Sequence, residues 1–317
     1  MNWLPSADLS ALKCRAEKLA STRSFFADRN VLEVDTPSLS VNTVTDVYLS
    51  SLTAKFQHND TVHDLYLQTS PEFYMKRLLA AGSGCIYQIC HSFRNDEVGR
   101  IHSPEFTMLE WYRVGFDHQQ LMDEVSCFLQ SVFNFLPAAI VAYKDIFIDY
   151  LNIDPLSVSV NELREALNCN EFSDGIVNNL DKDSILQLLF AKHIEPKIGF
   201  DSPLIVYGFP SSQAALARVN EFDSRISDRF EVFYQGVELA NGYNELIDYA
   251  EQLQRFREDQ ISRKEKKLDD IEIDPKFMAA VSSGIPVCSG VALGFDRALM
   301  LSLQLDSISK VRSFSLF

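Results

Sequence analysis

The spacing of apolar residues along the chain predicts several helices. Between residues 5 and 29, apolar side chains recur at intervals of three and four, which predicts an amphipathic helix. A second helix is predicted to begin with Ser70 as its N-cap and Pro71 as its first residue, and to end near Ala81, before a glycine. Further helices are predicted over residues 119–135, 248–268 and 295–305.

Short runs rich in β-branched and aromatic residues predict strands between these helices. They cover residues 31–34, 65–68, 86–89, 106–111, 204–207, 229–234 and 287–291. Hairpin loops and long insertions separate the strands, so the pattern does not favour a regular alternation of strand and helix. The glycine-rich motifs that bind ATP or NAD on a parallel sheet are also missing from the sequence.

The composition of the chain changes between about residues 145 and 215. This stretch has short helical patterns at 161–167 and 184–193 and few candidate catalytic groups. We therefore expect one catalytic domain over residues 1–317, with a mainly helical insertion at about 145–215.

The composition and charge exclude several classes of protein. The 317 residues are 46% hydrophobic and 23% charged, as in folded globular proteins. The sequence has neither an apolar run long enough for a membrane span nor a secretion signal, so we expect a cytoplasmic protein that does not bind a membrane. The formal net charge of −15 opposes broad contact with nucleic acid and is compatible with small cationic substrates.

A polar loop after the predicted strand 86–89 is the first candidate for chemistry. Its candidate residues are Arg94, Asn95, Asp96, Arg100, His102 and Ser103. Arginine offers planar pairs of donors that match phosphate oxygens, so two arginines and a histidine here can clamp a polyphosphate. The alternative interpretation is a set of surface ion pairs on a turn.

A second group of polar residues lies in an otherwise apolar segment. It consists of Glu231, Glu238, Asn241 and Glu245. Buried carboxylates need a partner, which a divalent metal or a substrate ammonium would supply. Oxygen ligands favour Mg²⁺ over Zn²⁺, and a structural network of ion pairs is the alternative.

A third segment runs from Ser289 to Arg297. A strand that carries glycines leads here into a helix that begins with Asp296 and Arg297, so a ligand can approach the backbone closely. Arg297 in the first helical turn can face an anionic group. Taken alone, this segment is a weak signal.

In this order and spacing, the three segments resemble the motifs of class II aminoacyl-tRNA synthetases. Pro37 resembles motif 1, residues 93–96 resemble motif 2, and residues 294–297 resemble motif 3. Residues 69–72, 238–242 and 245–246 resemble lysyl-tRNA synthetases in particular. The runs 104–112 and 288–294 are similar to the elongation factor P–(R)-β-lysine ligases, which lack the anticodon-binding domain. Only about 30 residues precede the motif 1 strand, which agrees with that family.

The resemblance implies a fold, a reaction and a set of partners. The expected fold is α+β, the class II synthetase core, in which helices flank an antiparallel sheet, and the expected assembly is a homodimer. The implied enzyme uses ATP and Mg²⁺ to activate (R)-β-lysine as an adenylate. It then transfers the acyl group to the ε-amine of a lysine on elongation factor P, without anticodon-dependent binding of tRNA.

The resemblance also implies a role for each candidate residue. Binding of the amino acid is expected from Ser70, Pro71, Glu72, Tyr112, Asn241, Glu245 and Ala292. Binding of ATP is expected from Arg94, Asn95, Asp96, Arg100, His102, Ser103, Glu238, Leu239, Gly294 and Arg297, and binding of the metal from Glu231 and Glu238.

Two residues depart from the usual motifs. Asp96 stands where motif 2 has glutamate, and Glu97 is an alternative carboxylate for its role. Ala292 stands where lysyl-tRNA synthetases have glycine, as expected of the β-lysine ligases, and its methyl group should reshape the amino-acid pocket.

Two other functions on the same core remain open. One is a tRNA-independent synthetase that makes a free amide, which the lysine-type Glu245 argues against. The other is a paralogue that senses an amino acid without catalysis, which the presence of Arg94, Glu238 and Arg297 argues against.

Overall fold

The computed structural model describes residues 3–95, 98–168 and 180–316. The α-helices in these residues are α1 (Leu9–Ala27), α2 (Glu72–Ala80), α3 (His118–Phe133), α4 (Tyr143–Leu151), α5 (Val160–Asn168), α6 (Lys182–Leu189), α7 (Tyr249–Glu265), α8 (Pro275–Ser283) and α9 (Phe295–Ser302). The strands are β1 (Leu32–Glu33), β2 (Leu39–Ser40), β3 (Thr53–His58), β4 (Thr61–Leu67), β5 (Ile86–Phe93), β6 (Glu105–Val114), β7 (Ala139–Ala142), β8 (Leu204–Tyr207), β9 (Arg229–Tyr234), β10 (Val237–Asn244) and β11 (Cys288–Gly294).

Eight of these strands form the main sheet, in the order β1-β5-β6-β11-β10-β9-β8-β7. The central pairs are antiparallel, and only the outer pairs β1–β5 and β7–β8 are parallel. A smaller sheet of order β2-β4-β3 lies beside it. The described residues therefore have the predicted α+β fold, with a mainly antiparallel sheet flanked by helices.

One face of the main sheet is covered by α1, α3 and α9. Alternate strand residues such as Leu109, Trp111 and Leu293 are fully buried against Phe26 of α1 and Phe128 of α3. Because side chains alternate between the faces of a strand, the residues between these positions point to the opposite face. That second face carries the polar residues of the candidate site.

The edge of the sheet next to β9 carries a second apolar cluster. It is built from α4, α5, α6 and β8, and Phe233 of β9 packs against it. The helices that occur within residues 145–215 thus have their own core beside the main sheet. The division of the chain into a catalytic domain and an insertion stays a prediction.

Several predicted boundaries were wrong by a few residues. Helix α1 begins at Leu9 because the Asp8 carboxylate accepts a hydrogen bond of 2.7 Å from the backbone N–H of Ala11 and so caps it. Pro71, predicted as the first residue of α2, is its N-cap, and Ser70, predicted as the cap, accepts only a long 3.4 Å bond from Glu72. Strand β6 is longer than predicted because its ladder with β5 begins at Glu105 and its ladder with β11 continues to Val114. Among the described residues, no helix is both long and apolar enough to cross a membrane.

Candidate active site

A cavity of about 890 Å³ opens on the second face of the main sheet. Most of the predicted site residues line it, namely Ser70, Glu72, Arg94, His102, Ser103, Tyr112, Glu231, Glu238, Leu239, Asn241, Glu245, Ala292, Gly294 and Arg297. Pro71, Asn95 and Arg100 do not form part of its wall, and Arg100 is exposed. Asp96 and Glu97 lie outside the described residues.

The floor of the cavity is a row of residues that face one another across four strands. Glu110 of β6 pairs with Ala292 of β11, Ala292 pairs with Asn241 of β10, and Asn241 pairs with Glu231 of β9. Directly opposed residues in a sheet share a face, so these four side chains form one line. The register of the sheet therefore fixes the order of the polar groups along the cavity.

One end of this line is a buried carboxylate beside a tyrosine. Tyr112 donates a hydrogen bond of 2.6 Å to Oε1 of Glu110, and Oε2 of Glu110 has no hydrogen-bond partner among the described residues. Burial and the charge of Glu72 raise the pKa of Glu110 to about 8. A positively charged group that entered the cavity here would satisfy the free oxygen and restore the ionised form.

Two more carboxylates meet next to Glu110, around a buried lysine. Nζ of Lys76 lies 2.6 Å from Oε1 of Glu72 and 2.6 Å from Oε2 of Glu245. Burial raises the pKa of Glu245 to about 7, because the attraction of Lys76, which lowers this pKa, offsets the cost of burial only in part. Three carboxylates thus line this end of the cavity, with one ammonium buried behind two of them, and this end suits a cationic ligand.

Two arginines mark the other end of the cavity. Nε of Arg94 is buried without a hydrogen-bond partner among the described residues, and its guanidinium lies 5.3 Å from the ring centre of Phe106. Arg297 donates hydrogen bonds of 2.8 Å to the carbonyl oxygen of Glu238 and 3.2 Å to that of Ile101, which fixes its guanidinium at the cavity wall. Two guanidinium groups held in this way suit a polyphosphate.

Two carboxylates near Arg297 are candidates for binding a metal. Glu231 is ion-paired with Arg229, and burial together with the charge of Glu238 raises the pKa of Glu231 to about 7. Glu238 is 40% exposed, and its Oε2 lies 3.8 Å from Nη1 of Arg297. The described residues form no cluster of three or more potential metal ligands. Glu231 and Glu238 offer carboxylate oxygens, the kind of ligand that Mg²⁺ takes together with phosphate and water.

Sequence reasoning missed three residues at this site. Glu110 lies in the cavity wall, and its position as a carboxylate in the middle of an apolar strand could have indicated this in the sequence. Lys76 lies one helical turn after Glu72, a spacing typical of an ion pair. Arg229 lies two residues before Glu231 on the same face of β9, where it also contacts Oδ1 of Asn241 at 3.4 Å.

Comparison with known proteins indicates, over nearly the whole chain, the same family that the sequence motifs indicate. The family model for tRNA synthetases class II (D, K and N) matches residues 5–316. Proteins named elongation factor P–(R)-β-lysine ligase are similar to this chain in several bacteria. The one from Vibrio atlanticus is 51% identical, over 98% of this chain and 97% of the relative. The one from Vibrio cholerae is 50% identical over 99% and 97%, and the one from Salmonella typhi is 48% identical over 99% and 97%.

The match and the geometry agree on the kind of enzyme. The mainly antiparallel sheet is the fold that the sequence motifs predicted. This chain therefore belongs to the class II tRNA synthetase family (D, K and N) and is an ATP-dependent ligase.

Proposed function

We propose that this enzyme activates (R)-β-lysine with ATP and transfers the β-lysyl group to the ε-amine of a lysine on elongation factor P. The observation that carries the proposal is one cavity with three carboxylates at one end, two of them buried and Glu72 half-buried, and two arginines at the other. The names of relatives at about half identity supply the acceptor protein and the amino acid. A homodimer and a cytoplasmic location belong to the same proposal.

The carboxylate end of the cavity is proposed to hold the two ammonium groups of β-lysine. The ε-ammonium binds between Glu245, Glu110 and the hydroxyl of Tyr112. The second ammonium binds near Glu72, with Ser70 and Asn241 beside it. Ammonium groups satisfy buried carboxylates with charge-assisted hydrogen bonds, so we expect an amino acid with an uncharged side chain to bind poorly at this end.

The arginine end is proposed to hold ATP. Arg94 binds the α-phosphate, where negative charge builds up as the amino-acid carboxylate attacks, and Arg297 and His102 bind the outer phosphates. Donors that are already in place stabilise such charge most effectively. When bound at Glu231 and Glu238, Mg²⁺ neutralises phosphate charge and makes pyrophosphate a better leaving group.

Two steps complete the proposed reaction. A carboxylate oxygen of β-lysine attacks the α-phosphorus, the bond to the β-phosphate oxygen breaks, and pyrophosphate leaves. The neutral ε-amine of the acceptor lysine then attacks the carbonyl carbon of the adenylate, AMP leaves, and the amine loses a proton as the amide forms. No enzyme nucleophile is needed, since placing both reactants together supplies much of the rate.

Mass spectrometry of elongation factor P tests this proposal directly. After incubation with the enzyme, ATP and (R)-β-lysine, we expect a mass gain of one β-lysyl group on one lysine. The control is elongation factor P in which that lysine is replaced by arginine, together with a reaction without ATP. A free amide without modified protein would favour the free-amide synthetase. A protein that binds the amino acid but shows no amino-acid-dependent exchange of pyrophosphate into ATP would be a sensor.

A further inference from the structure

Lys76 is a fully buried charge that does not touch the cavity. Its side chain is 0% exposed, and it is missing from the cavity wall, whereas both of its partners, Glu72 and Glu245, line that wall. An ammonium buried in this way is costly unless it is paired on more than one side. The two contacts of 2.6 Å provide that pairing and keep the lysine charged, since the carboxylates raise its pKa despite burial.

Lys76 joins two elements that are far apart in the sequence. Glu72 lies on the first turn of α2, and Glu245 directly follows β10. The neighbours Met75 and Leu79 on the same helix are buried against α8, so packing holds α2 in place beside Glu245. Lys76 thus contacts both carboxylates from outside the cavity that they line.

The charges around Lys76 do not balance within the protein. The ionisable groups on the packed elements are Glu72 on α2, Glu110 and Tyr112 on β6, Tyr243 on β10, Glu245 after β10 and Cys288 on β11. Burial raises the pKa of both tyrosines and of the cysteine, so these three stay neutral. When bound ammonium groups keep all three carboxylates ionised, three carboxylates and one ammonium leave a formal charge of −2, which two ligand ammonium groups neutralise.

We propose that Lys76 is a positioning residue that acts through Glu72 and Glu245, and that it sets the charge of the pocket to match a diamino acid. The proposal rests on the proposed function, because that function assigns the two carboxylates to the ammonium groups of the substrate. Lys76 itself contacts neither substrate nor ATP.

The variant Lys76→Met tests this role through binding, without turnover. Calorimetry of the full chain with (R)-β-lysine and with ATP is compared at several pH values, with exposed Lys264→Met as control. Loss of the positive charge raises the pKa of Glu245, and a rise of one pH unit from its value of about 7 lowers the ionised fraction at pH 7 by about fivefold. We therefore expect binding of β-lysine at pH 7 to weaken by about fivefold. The pH at which binding is half-maximal should rise, and the affinity for ATP should change by less than about threefold.

Two results would overturn the proposal. One is an unchanged pH midpoint for β-lysine in Lys76→Met, and the other is an equal loss of affinity for ATP and β-lysine, as a general packing defect would cause. If Lys76→Met does not fold, the single and double variants Glu72→Gln and Glu245→Gln in the wild-type background replace it. If both carboxylates share Lys76, the two substitutions should not have independent effects on β-lysine binding. Independent effects would refute the role of Lys76.

Failure of this proposal can be told apart from failure of the proposed function. The latter is decided by modification of elongation factor P with the wild-type enzyme. The role of Lys76 is decided by the pH dependence of amino-acid binding, which is measured without the acceptor protein. An enzyme that modifies another acceptor would leave the inference about Lys76 intact.

Discussion

A Cβ atom placed on Gly290 would lie 2.5 Å from Oε1 of Glu245. It would also lie 2.4 Å from Cε1 of Tyr112, the residue directly opposite Gly290 in the ladder between β6 and β11. Glycine at this position therefore allows the carboxylate and the ring to meet over the backbone of β11. The backbone conformation itself is not the reason, since Gly290 does not have a positive φ angle.

Replacement of Gly290 by alanine should disrupt the amino-acid end of the cavity. Forcing an extra methyl into a packed site costs about 1–3 kcal/mol, so we expect kcat/KM for β-lysine to fall by about tenfold to a hundredfold. Pyrophosphate exchange with varied β-lysine and varied ATP measures the effect. Gly99→Ala is the matched control, because its Cβ would meet no atom within 4 Å. A Gly290→Ala enzyme with the wild-type kcat/KM would show that Tyr112 and Glu245 move aside without loss of activity.

Binding of the amino acid should strengthen as the pH rises. The pKa of Glu110 is raised to about 8 and that of Glu245 to about 7, and an ammonium binds the ionised forms. KM for β-lysine should therefore level off above pH 8 and rise by up to about tenfold for each pH unit between pH 8 and 7, where Glu110 becomes protonated. Below pH 7, where both carboxylates become protonated, it should rise by up to about a hundredfold for each unit. In the Glu110→Gln variant, the rise in KM between pH 8 and 7 should disappear, and the rise below pH 7 that is due to Glu245 should remain. A KM that is flat between pH 6 and 9 would contradict the assignment of both carboxylates.

Replacement of Ala292 by glycine should shift the preference of the enzyme towards α-lysine. Ala292 lies between Glu110 and Asn241 on the cavity floor, where its methyl group can disfavour an amine on the α-carbon. One methylene in a pocket discriminates by about 10- to 200-fold. The measurement is kcat/KM for α-lysine and β-lysine in both enzymes, so that each enzyme is its own control. An unchanged ratio would show that Ala292 does not set the selectivity.

Replacement of Arg297 by alanine should abolish adenylate formation in a folded protein. The Arg297 guanidinium is held at the cavity wall by two carbonyl oxygens, where the proposal places the outer phosphates of ATP. We expect pyrophosphate exchange to be lost. The control is the variant Arg257→Ala, which replaces an exposed arginine of α7. Exchange near the wild-type rate would refute the assignment of Arg297 to ATP.

The sequence predicted the strands and motifs of the site better than its electrostatics. The strand at 229–234 was predicted with its observed bounds because aromatic and β-branched residues fill it and a tight turn follows. The motifs also located Arg94 and Arg297, because loop and helix termini carry recognisable residues. The role of Lys76 was missed because its contact with Glu245 joins two distant segments, and no local pattern reports such a pairing.

The strand order has a consequence for how the chain is made. Strand β11 lies between β6 and β10, yet it is the last strand to be synthesised. Until residue 294 has left the ribosome, the inner edges of β6 and β10 have no partner, and open edges invite pairing with other chains. We therefore expect nascent chains that stop before Cys288 to aggregate and to lack any activity, since the two halves of the active site meet only when this last strand is inserted.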